Sequence, residues 1–291
     1  MRAAISTSTW TSTAVTSATD PARAPLPRIS VVVPSYNQAA FLPAALDSLL
    51  NQDYPDLEII VMDGGSADGS ADVLRAYAPR LTAAVSEPDR GQSHAINKGM
   101  ALATGEVLSW LNSDDILLPG ALQAVGEIFA AFPGVEWLTG QPANLGADGV
   151  LRHFPLKTGR WQGAIWRGWY HGRALGFIRQ EGTFWRRSLW EQAGGQVDEA
   201  RHYTMDYDLW RRFARHAPLV TADETLAAFR EHPAQKTADL AGYYAEAGVR
   251  LPQAVRWFML PARVALSPLA WLTAPRAIRQ GSGWALRGTH P

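Results

Sequence analysis

Two adjacent carboxylates, Asp114 and Asp115, follow an apolar run at 106–111 that predicts a buried strand. Carboxylate oxygens are ligands that Mg²⁺ and Mn²⁺ prefer, and a cation held in this way neutralises the charge of a diphosphate. The alternative is that the two acids cap the next helix. Pro119 marks the expected first turn of that helix, too far along the chain for either acid to be its N-cap. We therefore interpret the pair as metal- or nucleotide-binding residues.

A third acid, Asp206, is the candidate general base. Apolar residues at helical spacing predict a helix over 204–215. On that helix Asp208 has Arg211 and Arg212 three and four positions further on, so a local ion pair accounts for it. Asp206 has apolar residues at both positions. An acid without a basic partner beside apolar side chains is the better candidate for taking a proton from a hydroxyl.

Four short apolar runs, each followed by polar residues, must position these acids. The runs alternate with helical patterns, which predicts crossover units and a mostly parallel sheet flanked by helices. Ligands of such sheets bind outside the carboxyl ends of the strands. The polar residues at those ends are Ser35, Tyr36 and Asn37, then Asp63, then Glu87 and Asp89, then Asp114 and Asp115. Their convergence predicts a polar ligand that carries phosphates and hydroxyls.

Length and composition exclude several classes of protein. The 291 residues, 47% of them apolar, suffice for one large α/β domain or a domain with an appendage. The formal net charge is zero, so no nucleic-acid partner is expected. Without cysteine the chain has no disulfides, thiolate metal sites or cysteine nucleophiles, which fits a reducing compartment. No apolar run is long enough to span a bilayer, and we predict a cytoplasmic location.

The two ends of the chain differ from the middle. Residues 1–27 are rich in Ser, Thr and Ala without the apolar stretch of a secretory signal, and we predict disorder there. Residues 241–291 mix arginines with aromatic and apolar residues, and we predict a helical extension. It either makes a peripheral contact with the cytoplasmic face of an anionic membrane or packs on the domain. Several prolines in the segment weaken the first alternative.

The ordered motifs resemble glycosyltransferase family 2, whose catalytic domain has the GT-A fold. The resemblance rests on their order and spacing over about residues 28–240. It implies a nucleotide-sugar-binding half at 28–133 and an acceptor-binding half at 134–240. The motifs are Val31 to Asn37, Gln52 to Pro55, Glu58 to Ser66, Ala95 to Gly99, Ala103 to Glu106, Asn112 to Asp115, Phe184 to Arg187, Asp206 to Trp210 and Phe229 to His232.

The resemblance implies an inverting sugar transfer from a nucleotide-diphosphate-sugar to a hydroxyl of a glycan or lipid-linked acceptor, as in polysaccharide or cell-surface glycan synthesis. Asp206 would be the catalytic base, although the family commonly has Glu-Asp where this chain has Met205-Asp206. Asp114 would hold Mg²⁺ or Mn²⁺, with His232 as a further ligand. The donor would contact Pro34, Ser35, Tyr36, Asn37, Asp63, Arg90, Asn112, Asp114 and Asp115. The acceptor would contact Gln180, Glu181 and Trp185.

Other functions fit the sequence less well. A nucleotidyltransferase needs a glycine-rich, basic loop after the first strand, and a dinucleotide-dependent oxidoreductase needs Gly-x-Gly-x-x-Gly there; neither is present. A glycoside hydrolase would use two carboxylates but has no need of a nucleotide pocket. Asn112 replaces the first acid of the family's usual Asp-x-Asp. Together with Met205 it motivates the alternative of a catalytically degenerate sugar-nucleotide-binding protein.

Overall fold

The computed structural model describes residues 25–154, 156–233, 235–249 and 264–288. Within them a nine-stranded sheet has the order β13-β12-β10-β6-β9-β4-β1-β2-β3, and a smaller sheet has the order β5-β11-β7-β8. The strands are Ile29–Ser35 (β1), Leu57–Asp63 (β2), Ala83–Ser86 (β3), Val107–Trp110 (β4), Ile116–Leu117 (β5), Trp137–Thr139 (β6), Ala143–Leu145 (β7), Leu151–His153 (β8), Thr183–Arg186 (β9), Val220–Ala222 (β10), Ala227–Arg230 (β11), Arg276–Gln280 (β12) and Gly283–Arg287 (β13).

Helices cover both faces of the large sheet, which explains why its central strands are apolar throughout. Alternate residues of β1 enter two separate cores: Val31 and Val33 face one, and Val32 faces the other. The α/β prediction is therefore confirmed. The helices are Leu42–Leu50 (α1), Ser70–Tyr77 (α2), Gln92–Leu102 (α3), Ala121–Ala131 (α4), Gln162–Trp166 (α5), Arg187–Gln192 (α6), Met205–Phe213 (α7) and Leu240–Glu246 (α8).

The four strands predicted from the apolar runs lie side by side and parallel. β1 pairs with both β2 and β4, and β2 pairs with β3. The register places Ser35 opposite Asp63, and Asp63 opposite Ser86, so the polar strand ends meet at one edge. The strands β2 and β3 lie on one side of β1, whereas the next strand, β4, lies on its other side. Open α/β sheets bind ligands in the crevice beside such a change in strand order.

The smaller sheet brings two distant loops together. β5 begins directly after Asp115, and β11 ends two residues before His232. These strands pair antiparallel, with Ala228 opposite Ile116. The pairing therefore carries the loop at 112–115 and the loop at 231–233 to the same side of the molecule.

The chain ends correct the predicted boundaries. Residues 264–273 are helical as expected, but β12 and β13 form a hairpin that joins the large sheet through β10. Trp284 of this hairpin is buried in the core, so the segment after 240 is partly an integral component of the fold. The fold also begins before residue 28, because Leu26 packs on the core and the Tyr54 hydroxyl donates to the Pro27 carbonyl at 2.6 Å.

Two predictions fall on residues that the structure does not describe. Disorder was predicted for 1–27, of which 1–24 lie outside the described residues. Much of the basic and aromatic segment proposed to contact a membrane, 250–263, also lies outside them. In the part of the chain that is described, no helix has both the length and the apolar character needed to cross a bilayer.

Candidate active site

The buried side chain of Asp115 anchors the loop after β4 to the protein interior. This carboxylate is buried and accepts hydrogen bonds from the backbone N–H of Arg230 at 2.9 Å and from Nδ2 of Asn112 at 3.2 Å. Burial, followed by the charges of Glu181 and Asp114, raises the pKa of Asp115 well above its ordinary value. Asp115 was predicted to contact the nucleotide; its burial instead makes it an anchor that shapes the loop.

Asp114 points the other way and meets His232. Its Oδ2 lies 3.0 Å from Nε2 of His232, and the two side chains are 20% and 7% exposed. The Phe41 ring, 4.5 Å from the imidazole between centroids, holds the histidine in place. Nε of Arg230 donates to the Asp114 carbonyl at 2.7 Å, which fixes the loop. The sequence predicted this pair, and the structure brings it together.

The pair fits a divalent cation. Neighbouring ligands of an octahedral ion with bonds of about 2.1 Å are about 3.0 Å apart, which is the separation of the two donor atoms. Among the described residues no group of three or more His, Cys, Asp or Glu side chains could hold an ion. Cations of this kind are commonly bound by one or two protein ligands together with substrate phosphates and water. The donor set therefore suits an ion that arrives with a diphosphate.

The loop after β1 presents an aromatic surface. Tyr36 is 63% exposed, so its ring is free to stack on a base. Asn37 has a left-handed backbone (φ 52°), and its Oδ1 accepts from the Ala67 N–H at 3.0 Å while its own N–H donates to Oγ of Ser66 at 2.7 Å. Both bonds tie this loop to the turn after β2, so Asn37 sets the direction of Tyr36.

Asp63 stabilises that turn. Its carboxylate accepts from the N–H and hydroxyl of Ser66 at 3.0 and 2.5 Å and from the Ser86 hydroxyl at 2.6 Å. These bonds match the turn interpretation and leave little capacity for a base. Pro34 and Ser35 are buried below the tyrosine, and the Ser35 hydroxyl has no partner among the described residues.

Arg90 is held in an ion pair at the surface. Its guanidinium pairs with Glu199 at 2.6 Å, so the predicted phosphate contact needs that ion pair to open. A different cation is closer to the loop: Nζ of Lys236 donates to Oε1 of Gln92 at 2.9 Å, and Nε2 of Gln92 donates to Oδ1 of Asn112 at 2.6 Å. Lys236 was not predicted from the sequence, although it lies only four residues after His232.

Asp206 lies at the second position of α7. Its Oδ1 accepts from the Tyr207 N–H at 2.7 Å, and no Lys or Arg in the described part of the chain forms an ion pair with it. Burial, with smaller effects from Glu181 and Glu246, raises the pKa of Asp206 to about 6. Asp208 pairs with Nε of Arg212 at 2.9 Å, as the helical spacing predicts. The two acids of this helix therefore have different surroundings, since an arginine pairs with Asp208 and none pairs with Asp206 in the described part of the chain.

Gln180 and Glu181 approach the site from the segment before β9. Both are buried, and each has an Oε1 atom without a hydrogen-bond partner among the described residues. Nε2 of Gln180 donates to the Trp110 carbonyl at the end of β4. Burial raises the pKa of Glu181. Buried polar atoms of this kind are expected to bind a ligand or water.

Trp185 does not line any site, and its predicted contact with the acceptor is wrong. The side chain has no exposed surface, and it packs among the rings of Trp110, Trp190, Trp210 and Phe213. β9 lies between β4 and β6 in the sheet, and both of its faces are buried: Phe184 enters one core and Trp185 enters the other.

Replacing Trp185 is therefore expected to change stability and not binding. Trp185→Ala should lower the free energy of unfolding by about 3–5 kcal/mol, because it leaves a large cavity. Trp185→Phe fills most of that cavity and should remain folded. Denaturant unfolding and nucleotide titration of both variants check this; unchanged stability with altered acceptor binding would contradict the core assignment.

Comparison with known proteins identifies relatives of this chain. Residues 30–137 match the model of glycosyl transferase family 2. An uncharacterized glycosyltransferase of Nostoc sp. is 41% identical over 105 residues, which are 35% of this chain and 33% of the relative. The chain spans 33% and 66% of the lengths of the first two curated relatives that it matches.

Two solved structures share the fold. The mannosyltransferase PcManGT from Pyrobaculum calidifontis, in complex with GDP-Man and Mn²⁺, is 21% identical with a TM-score of 0.58 over 87% of this chain and 72% of its own. S. aureus TarS 1-349, in complex with UDP-GlcNAc, is 17% identical with a TM-score of 0.58 over 81% and 71%. At these identities the likeness establishes the fold alone.

Proposed function

The chain carries a glycosyltransferase family 2 domain with a GT-A-like fold, and we propose that it transfers a sugar with inversion from a nucleotide-diphosphate-sugar to an acceptor hydroxyl. The acceptor would be a glycan or a lipid-linked saccharide. This assignment extends from the family and fold to the reaction, and the geometry of the site supports it.

The donor end of the site comprises Tyr36, Asp114 and His232. Tyr36 offers an exposed ring for the base, and the turn held by Asp63 keeps it in position. Asp114 and His232 offer oxygen and nitrogen donors 3.0 Å apart beside the strand ends. A divalent cation, when bound, neutralises the charge that develops on the β-phosphate as the bond to the sugar breaks. Lys236, attached to the same loop as His232, would add a positive charge near the leaving group.

The acceptor end comprises Asp206 with Gln180 and Glu181. Inversion in one displacement requires a base on the side of the sugar opposite the diphosphate. A carboxylate with a pKa of about 6 is ionised at neutral pH and is a stronger base than an ordinary aspartate. The unpaired Oε1 atoms of Gln180 and Glu181 would accept hydrogen bonds from acceptor or donor hydroxyls.

One observation carries the proposal: a single buried acid, Glu181, acts on residues at both ends of the site. The charge of Glu181 raises the pKa of both Asp115, in the donor loop, and Asp206, on α7. Interactions between charges weaken with distance and are least screened where water is excluded, so Glu181 links the donor loop to the start of α7. We infer that a sugar held at Asp114 by its diphosphate would have Glu181 and Asp206 on its acceptor side.

Calorimetric titration with UDP, GDP and dTDP, each with and without Mn²⁺, tests the donor part of the proposal. We expect one nucleotide to bind in a metal-dependent manner. If folded protein binds none of the three under either condition, both the transferase and the degenerate nucleotide-binding alternative are wrong.

A further inference from the structure

The turn that leads into α7 is held by a residue from another helix. The Glu246 carboxylate, at the end of α8, accepts hydrogen bonds from the backbone N–H groups of His202, Tyr203 and Thr204 at 2.9, 3.0 and 2.8 Å. It also accepts from the Thr204 hydroxyl at 2.6 Å. Thr204 is the N-cap of α7, yet its own side chain makes no capping bond to that helix. Glu246 thus fixes the turn that leads into Asp206, two residues further on.

The other end of α8 is attached to the same turn. Asp239, the N-cap of α8, accepts from the Tyr203 hydroxyl at 2.8 Å and from the Gly242 N–H at 2.9 Å. The whole helix therefore lies along residues 202–204, with one carboxylate bound at each end. On its other side α8 contacts the loop at 171–178, where Phe177 packs edge-on against Tyr243 and Arg173 lies 3.6 Å over the Tyr244 ring.

We propose that Glu246 is a positioning residue for Asp206: it orients the first turn of α7 and adds a negative charge beside the catalytic base. The inference rests on the proposed function, in which Asp206 takes the acceptor proton. α8 begins eight residues after His232, so the helix that carries Glu246 lies close in sequence to the candidate cation site.

Charges around Asp206 support this role. Glu246 on α8 and Glu181 before β9 both face Asp206 and raise its pKa, after the larger effect of burial. Tyr243 of α8 also feels the Asp206 charge, which raises the tyrosine pKa in addition to burial. The pKa of Glu246 itself is lowered: burial opposes ionisation, but the Thr204 hydroxyl and the backbone N–H groups together outweigh it. Glu246 is therefore ionised wherever Asp206 titrates.

Glu246→Gln removes the charge and one of the two acceptor oxygens while keeping the shape. We expect kcat for release of nucleoside diphosphate from UDP-GlcNAc or GDP-mannose with Mn²⁺ to fall by about tenfold, because a displaced base loses alignment. The KM for the donor should stay within about twofold. The rising acid limb of the pH profile should move to lower pH, because Asp206 loses a neighbouring negative charge. Glu246→Asp, which keeps the charge, should retain the wild-type position of that limb.

If the role of Glu246 were purely structural, Glu246→Gln would lower only the midpoint of thermal unfolding. An unchanged pH profile in Glu246→Gln would therefore overturn the proposal. Glu191→Gln, an exposed acid on α6, is the matched control and should behave as wild type. The carboxyl ¹³C titration of Asp206, assigned with Asp206→Asn, needs no turnover. A shift of that titration to lower pH in Glu246→Gln supports the positioning role even if no donor is consumed by wild type, in which case only the proposed function fails.

Discussion

Asp206→Asn is expected to lower kcat for sugar transfer by about 10²–10⁴-fold and to leave the affinity for nucleotide and Mn²⁺ within about twofold of wild type. The amide keeps the shape of the carboxylate but cannot accept the proton. In wild type the rate should rise with pH and level off above about 6, because the base must be ionised and its pKa is about 6. Initial rates over a pH series, with the donor that wild type uses, measure both effects.

Asp208→Asn is the matched control for that substitution. Asp208 lies on the same helix but pairs with Arg212. Its loss should cost about 1 kcal/mol of stability at most and leave kcat within about twofold of wild type. A variant of Asp208 that loses activity as strongly as the variant of Asp206 would show that the base was assigned to the wrong acid.

Asp206→Asn should also stabilise the fold at neutral pH. Burial raises the pKa of Asp206, so the folded state binds its proton more tightly than the unfolded chain does. Ionisation of Asp206 therefore lowers the free energy of unfolding above a pH of about 6. This loss disappears as the pH falls toward the ordinary pKa of an aspartate. Asp206→Asn should be more stable than wild type by about 1–3 kcal/mol near pH 8 and similar to it near pH 4. Denaturant unfolding at the two pH values decides.

Asp114→Ala is expected to weaken Mn²⁺-dependent nucleotide binding by about 10–100-fold or more, since it removes the carboxylate of the proposed cation site. His232→Ala should weaken the same binding less, because a neutral ring contributes no charge. Binding measured without Mn²⁺ should change little in either variant. Titration calorimetry with the nucleotide that wild type prefers gives these constants.

An exposed acid supplies the comparison for Asp114. Asp148, in the turn between β7 and β8, pairs with Arg152 on the surface. Asp148→Asn should bind nucleotide as wild type does. If Asp114→Ala also retains full metal-dependent affinity, the cation is held elsewhere and the donor end of the site must be reassigned.

The parallel sheet and its polar edge could be predicted from sequence because their signals are local. Each of the four strands is a short apolar run, and polar residues end it or follow it closely. The pairing of Asp114 with His232, 118 positions apart, came from the resemblance to a known family and not from any local pattern. The contrast between Asp206 and Asp208 was predictable because ion pairs within a helix depend only on spacing.

Other features depend on packing that no local pattern encodes. Trp185 lies on β9, a short strand with a polar residue at each end. Its burial follows from the pairing of β9 with β4 and β6, which places the strand in the interior of the sheet. The C-terminal hairpin adds to a sheet edge formed by β10, which lies more than 50 residues earlier. Glu246 was not found because most of its partners are backbone N–H groups, which leave no trace in side-chain types.

The most direct test of inverting transfer is a ¹H NMR time course of donor turnover by wild type with Mn²⁺, using UDP-GlcNAc and GDP-mannose, with water as the acceptor of last resort. Both donors carry the sugar in the α configuration. For a single displacement with Asp206 as the base, we expect the released sugar to appear first in the β configuration, before mutarotation. We also expect Asp206→Asn to abolish its formation. An α-configured first product would contradict a single displacement at Asp206.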